Sequence, residues 1–156
     1  PAVPLTPRMA STRVTFYVLD DAEPGARLAF GCRLAEKVWK LQQRVHAHVG
    51  DPAAAAALDE LLWTFRQGSF VPHEVVGEGT APEAPVTIGC DAAAAPAADL
   101  LINLSDSVPA GFERYPRVAE IVGGSDAARA AGRDRHRHYQ AAGCAPETHA
   151  VAGAAG

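Results

Sequence analysis

Between Arg129 and Tyr139 the chain gathers Arg129, Arg133, Arg135, His136, Arg137 and His138 into one cationic stretch, although its formal net charge is −4. Drawn as a helix from Ser125 to Ala142, that stretch places Arg129, Arg133, His136 and Arg137 at i, i+4, i+7 and i+8, on one side of the rod. Arg135 and Asp134 then point elsewhere. Guanidinium forks aligned on one face match carboxylate or phosphate oxygens, so the chemistry on offer is anion capture. Basic side chains are also favoured in the last turns of a helix by its dipole, and Gly143 is well placed to end this one. The stripe therefore reads either as an anion receptor or as a solvated, dipole-matched helix end. An acidic chain lacks the field needed to grip duplex phosphates over many contacts, so any anion is small or local.

Other residues with chemical potential fit no complete pattern. Gly77-Glu78-Gly79 lacks the third glycine of a dinucleotide fingerprint, and its acidic residue would repel a phosphate. No phosphate loop ending in Gly-Lys-Ser or Gly-Lys-Thr occurs, so no nucleotide or other cofactor is expected. His46 and His48 share a face of a strand, yet that strand carries no carboxylate or cysteine; exposed strand residues are expected, with no metal site. His73, beside Glu74, could act as a general base, but Ser69 and Ser105 stand in no triad order and no nucleophile elbow is present. A hydrogen bond to backbone is the expected use of His73. Asp20, Asp21 and Glu23 sit where active-site acids occur in doubly wound sheets, and where turns and helix starts also use them. Trp63 and Phe70 lead into a proline-containing loop, either as core or as exposed docking anchors.

The elements that must position these residues are legible from periodicity. Arg13 to Leu19, β-branched and aromatic, predicts a first strand buried on both faces. Ala26 to Gln43 sets Leu28, Cys32, Ala35 and Trp39 at helical spacing, Arg44 to Val49 predicts a strand, and Ala53 to Arg66 a second helix behind Pro52. Gln67 to Pro85 shows neither period and is expected as a long ordered loop. Val86 to Gly89, Leu100 to Leu104 and Val118 to Val122 complete five strands, with Asp91 to Ala98 as loop and Phe112 to Arg114 as a short turn. Alternation of strands and helices predicts an α/β fold: a single three-layer Rossmann-like domain with a mostly parallel sheet and no nucleotide-binding loop.

Composition agrees with one domain. The chain has 156 residues, 48% hydrophobic and 21% charged, enough for a core without disulfides or metal. Cys32, Cys90 and Cys144 are odd in number and widely spaced, which predicts small buried hydrophobes in a reducing compartment. No long apolar run or signal peptide is seen, so a cytoplasmic protein without membrane contact is expected. Residues 1–12 are expected as a disordered or extended leader or expression remnant, with Met9 resembling a natural start. The domain is expected over 13–150, and a frayed tail of small residues follows Thr148, with 151–156 outside the domain.

Several stretches together resemble one family. The strand VTFYVLDD, the segment LDELLWTFRQGSFVPHEVVGEG with its later partner APVTIG, the strand DLLINLSD and the closing RDRHRHYQAAG are similar to the chi subunit of bacterial DNA polymerase III, from about Arg13 to Ala150. The resemblance implies a non-catalytic Rossmann-like adaptor of DNA replication. Its implied partners are the psi subunit of the clamp loader and the acidic C-terminal tail of single-stranded-DNA-binding protein. Carried over by position, the tail site comprises Arg129, Arg133, His136 and Arg137, with Thr148 at the rim and an apolar wall from Ile121-Val122. Trp63 and Phe70 correspond to the surface that meets psi or, in related proteins, an accessory helicase. His136 replaces a tyrosine of the family, which raises pH-dependent binding, and Gly123-Gly124-Ser125 is a shorter connection than the family's, which implies a shallower slot. Direct nucleic-acid binding is not expected, because Tyr139 is the lone aromatic offered beside the basic charges. The alternative is a small-molecule or nucleotide-binding enzyme on a doubly wound sheet, acting through Asp20, His73 or Asp106.

Overall fold

The structure, a computed structural model, describes residues 12–77 and 81–152. Residues 1–11 of the expected leader, the Glu78-Gly79 part of the glycine pair, and residues 153–156 of the expected tail lie outside the described residues. Among the described residues seven strands form one sheet in the order β3-β4-β2-β5-β6-β1-β7, and every pairing in it is parallel. These are β1 (Arg13–Leu19), β2 (Val45–His48), β3 (His73–Val75), β4 (Val86–Gly89), β5 (Leu100–Asn103), β6 (Arg117–Val122) and β7 (Glu147–Val151). Helices α1 (Ala26–Lys40) and α2 (Pro52–Thr64) cover one face, and α3 (Asp126–Ala141) lies on the other.

Alternation along the strands divides the core in two. On β1, Leu19 joins Cys32, Val38, Leu58 and Ile121 beneath α1 and α2, while Val14 and Phe16 join Val118, Val122 and Tyr139 beneath α3. Burial of β1 is less complete than its apolar run suggests, since Thr15, Tyr17 and Val18 are half-buried near the sheet edge. Helix starts follow local chemistry. Asp51 caps α2 by accepting from the Ala54 amide at 2.7 Å, with Pro52 in the first turn, and Ser125 caps α3 by accepting from the Ala128 amide at 3.1 Å.

The outermost strands correct the sequence reading. The expected loop from Gln67 to Pro85 contains β3, three residues long, paired with β4 from His73↔Val86 to Val75↔Ile88. β7 runs from Glu147 into the expected frayed tail, where His149, Ala150 and Val151 pair with Tyr17, Val18 and Leu19. Both are edge strands, where one unpaired side and shallow burial leave little hydrophobic pattern. Thr12, placed in the expected leader, is buried and donates its hydroxyl to the Tyr115 carbonyl at 2.9 Å, so it belongs to the domain.

Candidate functional site

The placement of α3 on the sheet is fixed by two glycines and one buried acid. A Cβ on Gly124 would lie 2.8 Å from the Asp21 backbone, so the chain entering α3 can cross the Asp20-Asp21 turn only without a side chain there. A Cβ on Gly132 would lie 2.9 Å from Val122 Cγ1, and its absence lets the helix settle on β6. Glu120, fully buried on β6, then anchors the helix. Its carboxylate accepts from Arg135 Nε at 2.7 Å, Tyr139 Oη at 2.6 Å and Asn103 Nδ2 at 2.8 Å. A buried carboxylate is tolerable only with such partners, and the same burial together with Glu120 drives the Tyr139 phenol far above its usual range.

With Gly132, Arg135 and Tyr139 turned inward, the remaining basic residues are sorted by helical rotation. Residues seven apart differ by only about 20° in direction, so Arg129 and His136 stand on one flank with Arg133 beside them. That flank faces a groove of about 210 Å³ lined by Phe16, Val18, Val122, Arg129, Gly132, Arg133, His136 and Thr148. The floor is apolar, with the His136 ring 5.1 Å from the Phe16 ring. At the helix head, Arg129 Nε donates to the Gly124 carbonyl at 3.2 Å, and the guanidinium also reaches the Leu19 carbonyl at 3.4 Å. Arg133 is exposed, and among the described residues no hydrogen bond or ion pair engages it. Arg137 is carried further round the rod, away from the groove lining, and pairs with Asp134 on the exposed face. Ile121, expected in the apolar wall with Val122, faces the opposite layer beneath α1.

At the far edge of the sheet stands a second surface. Trp63, at the end of α2, and Phe70 are 52% and 59% exposed, with ring centroids 5.7 Å apart. The Trp63 ring also packs at 4.7 Å on His73, and Val75 of β3 adds an exposed apolar side chain. Beneath them the buried Glu36 carboxylate accepts from the Ser69 hydroxyl and pairs with Arg66 at 3.1 Å, tying the loop after α2 to α1. Large aromatics left in water beside a held loop are unusual for core residues and common at interfaces.

The chain is similar to known proteins over most of its length. Residues 11–147 match the family model described as DNA polymerase III chi subunit, HolC. The chain belongs to the DNA polymerase III chi subunit family. It is 42% identical over 138 residues to the DNA polymerase III subunit chi of Pseudomonas aeruginosa, covering 88% of this chain and 96% of that protein. Against the subunit chi of Escherichia coli K12 the identity is 32% over 134 residues, covering 83% of this chain and 91% of the other. The Haemophilus influenzae subunit chi is 29% identical over 136 residues, covering 86% and 94%. Membership makes this chi-family chain a non-catalytic accessory subunit of DNA polymerase III. No helix among the described residues is long and apolar enough to cross a membrane.

The other residues singled out in the sequence have structural roles in this chi-family fold. His46 and His48 are buried, not exposed as expected, because β2 lies between β4 and β5 in the sheet interior. His46 Nδ1 lies 2.7 Å from the Thr87 hydroxyl, and burial pushes its pKa down to about 4. His73 Nδ1 lies 2.6 Å from the Val71 carbonyl and Nε2 lies 3.2 Å from the Asp59 carboxylate, which holds the loop to α2. Asp21 accepts from the Glu23 amide at 2.9 Å, a turn role. Cys32 is a buried hydrophobe whose thiol pKa is raised to about 12 by burial, whereas Cys90 is exposed, contrary to the expectation of burial. Sequence reasoning missed Phe16, Val18 and Gly132 as groove residues. The alternation of Val14, Phe16 and Val18 on one face of β1 was the available signal for the first two.

Proposed function

We propose that this subunit ties the clamp loader, through psi, to the acidic C-terminal tail of single-stranded-DNA-binding protein. The carrying observation is the groove beside α3, where no described residue engages Arg133 and Arg129 is steered by backbone carbonyls above a floor of Phe16, Val18 and Val122. A tail ending in acidic residues, an aromatic ring and a free carboxylate needs guanidinium forks for its oxygens and an apolar slot for its ring. Thr148 at the rim offers a further hydroxyl donor. Arg137 is assigned a minor part, since its guanidinium is already paired with Asp134.

Trp63 and Phe70 supply the docking surface for psi, or alternatively for an accessory helicase. The two surfaces lie at opposite sheet edges, β3 and β7, six strand spacings or about 29 Å apart, so both partners can be held at once. Direct capture of single-stranded DNA by α3 is disfavoured, because Tyr139 is fully buried and presents no stacking platform. The test is calorimetric titration with an acidic peptide ending in an aromatic residue and a free carboxylate. A charge-assisted hydrogen bond is worth about 1.5–3 kcal/mol, so Arg133→Ala weakens the peptide about tenfold to a hundredfold. Undiminished affinity in that variant refutes the receptor assignment.

A further inference from the structure

We infer that His136 makes capture of the acidic tail proton-linked: docking draws a proton onto its imidazole, and affinity rises as pH falls through the neutral range. This inference rests on the reading of the α3 groove as a carboxylate receptor. Imidazole is the side chain that ordinarily changes charge between pH 5 and 8, and here one lines the same groove as two guanidiniums that do not titrate in that range. His136 is half-buried, its ring is braced against Phe16 at 5.1 Å, and no described residue hydrogen-bonds either ring nitrogen. Both nitrogens therefore remain available to a ligand.

The surroundings isolate this group. On α3 itself the facing charges are Arg129 and Arg133, and the Asp134–Arg137 pair lies on the outer side of the helix. On β1 the packed residues are Phe16 and Val18, and on β6 Val122, all uncharged, while Glu120 is committed to Arg135. On β7 the facing residue is Thr148. Its neighbours Glu147 and His149 project from the other side of the sheet, where His149 stacks on Tyr17 at 5.9 Å. His136 thus shares the groove with two guanidiniums and with no facing carboxylate among the described residues. Tail carboxylates arriving within about 4–6 Å favour the protonated imidazole, as an opposite charge does. The sign follows: the complex binds more protons than the free partners, so lower pH strengthens it until the peptide's own carboxylates begin to protonate.

The test is titration calorimetry of the full chain with an acidic peptide bearing a C-terminal aromatic residue and a free carboxylate. It is run from about pH 8 to about pH 5.5, and at about pH 6.5 in two buffers of different ionisation heat. A favourable change of one pKa unit on binding corresponds to a tenfold gain, so affinity is expected to rise by about three- to tenfold across the series, with fractional proton uptake near pH 6.5. In His136→Gln, and in His136→Tyr, which keeps a ring on Phe16, the uptake and the pH slope disappear while binding persists. Arg133→Ala weakens the peptide at every pH and keeps the slope. Affinity that depends on Arg133 but is flat with pH, or a slope unchanged in both His136 variants, overturns the proton linkage and leaves the receptor reading standing. A peptide that binds at no pH overturns both.

Discussion

Glu120→Ala is the perturbation that most directly exposes how the fold holds the basic helix. The wild-type carboxylate accepts three hydrogen bonds, and its removal leaves the Arg135 guanidinium, 3% exposed, without a counter-charge. Deleting one member of a buried ion pair costs about 3–5 kcal/mol, because the survivor keeps its desolvation penalty and loses its compensation. For a chain of this size each kcal/mol moves Tm by about 2–4 °C, so calorimetric Tm is expected to fall by about 6–20 °C. The paired substitution Glu120→Leu with Arg135→Met removes both charges and is expected to be more stable than Glu120→Ala alone. A loss below about 1 kcal/mol, or a double variant that falls by the full sum of the two single losses, refutes the claim that this buried pair anchors α3.

Further outcomes follow from other parts of the molecule. Gly124→Ala is expected to cost about 1–3 kcal/mol in urea unfolding, since the added methyl meets the Asp21 backbone at 2.8 Å, where nothing flexible can give way. Arg137→Ala should change tail-peptide affinity less than about threefold, because its guanidinium is already spent on Asp134 in the exposed pair. Trp63→Ala with Phe70→Ala should abolish psi binding in a pull-down while leaving tail-peptide affinity and Tm nearly unchanged. His46 binds a proton readily in the unfolded chain, with an ordinary pKa of 6.5, but only near pH 4 when folded. Stability should therefore fall as pH drops from about 6.5 to about 4, by on the order of 3 kcal/mol, and the fall should flatten in His46→Gln.

Strong local periodicity made most of the fold readable. β1 and β4 begin and end where the sequence placed them, and α3 runs within its expected limits, because apolar alternation and the Ser125 and Gly143 signals act over a few residues. The edge strands were hidden for a physical reason. His73–Val75 and Glu147–Val151 each have one neighbour and a mostly solvent-facing surface, so their stability comes from pairing with β4 and β1 and leaves little trace in residue type. The same limit applies to the groove. Arg129, Arg133 and His136 could be grouped from helical spacing alone, but the inward turn of Arg135 and Tyr139 depends on Glu120, fifteen and nineteen residues away. Helical spacing put Arg137 on the same side. Only the packed helix shows that it turns outward to Asp134, and only the packed sheet brings Phe16 and Thr148 to the groove from two further strands.

If the α3 groove captures the tail as proposed, the tail's terminal carboxylate meets the exposed Arg133 guanidinium. Two acidic peptides of identical sequence, one with a free C-terminal carboxylate and one amidated, are titrated into the wild-type chain at low salt. The free acid is expected to bind about tenfold to a hundredfold more tightly, and the difference should shrink in Arg133→Ala. Equal affinity for the acid and the amide contradicts carboxylate capture by the α3 groove.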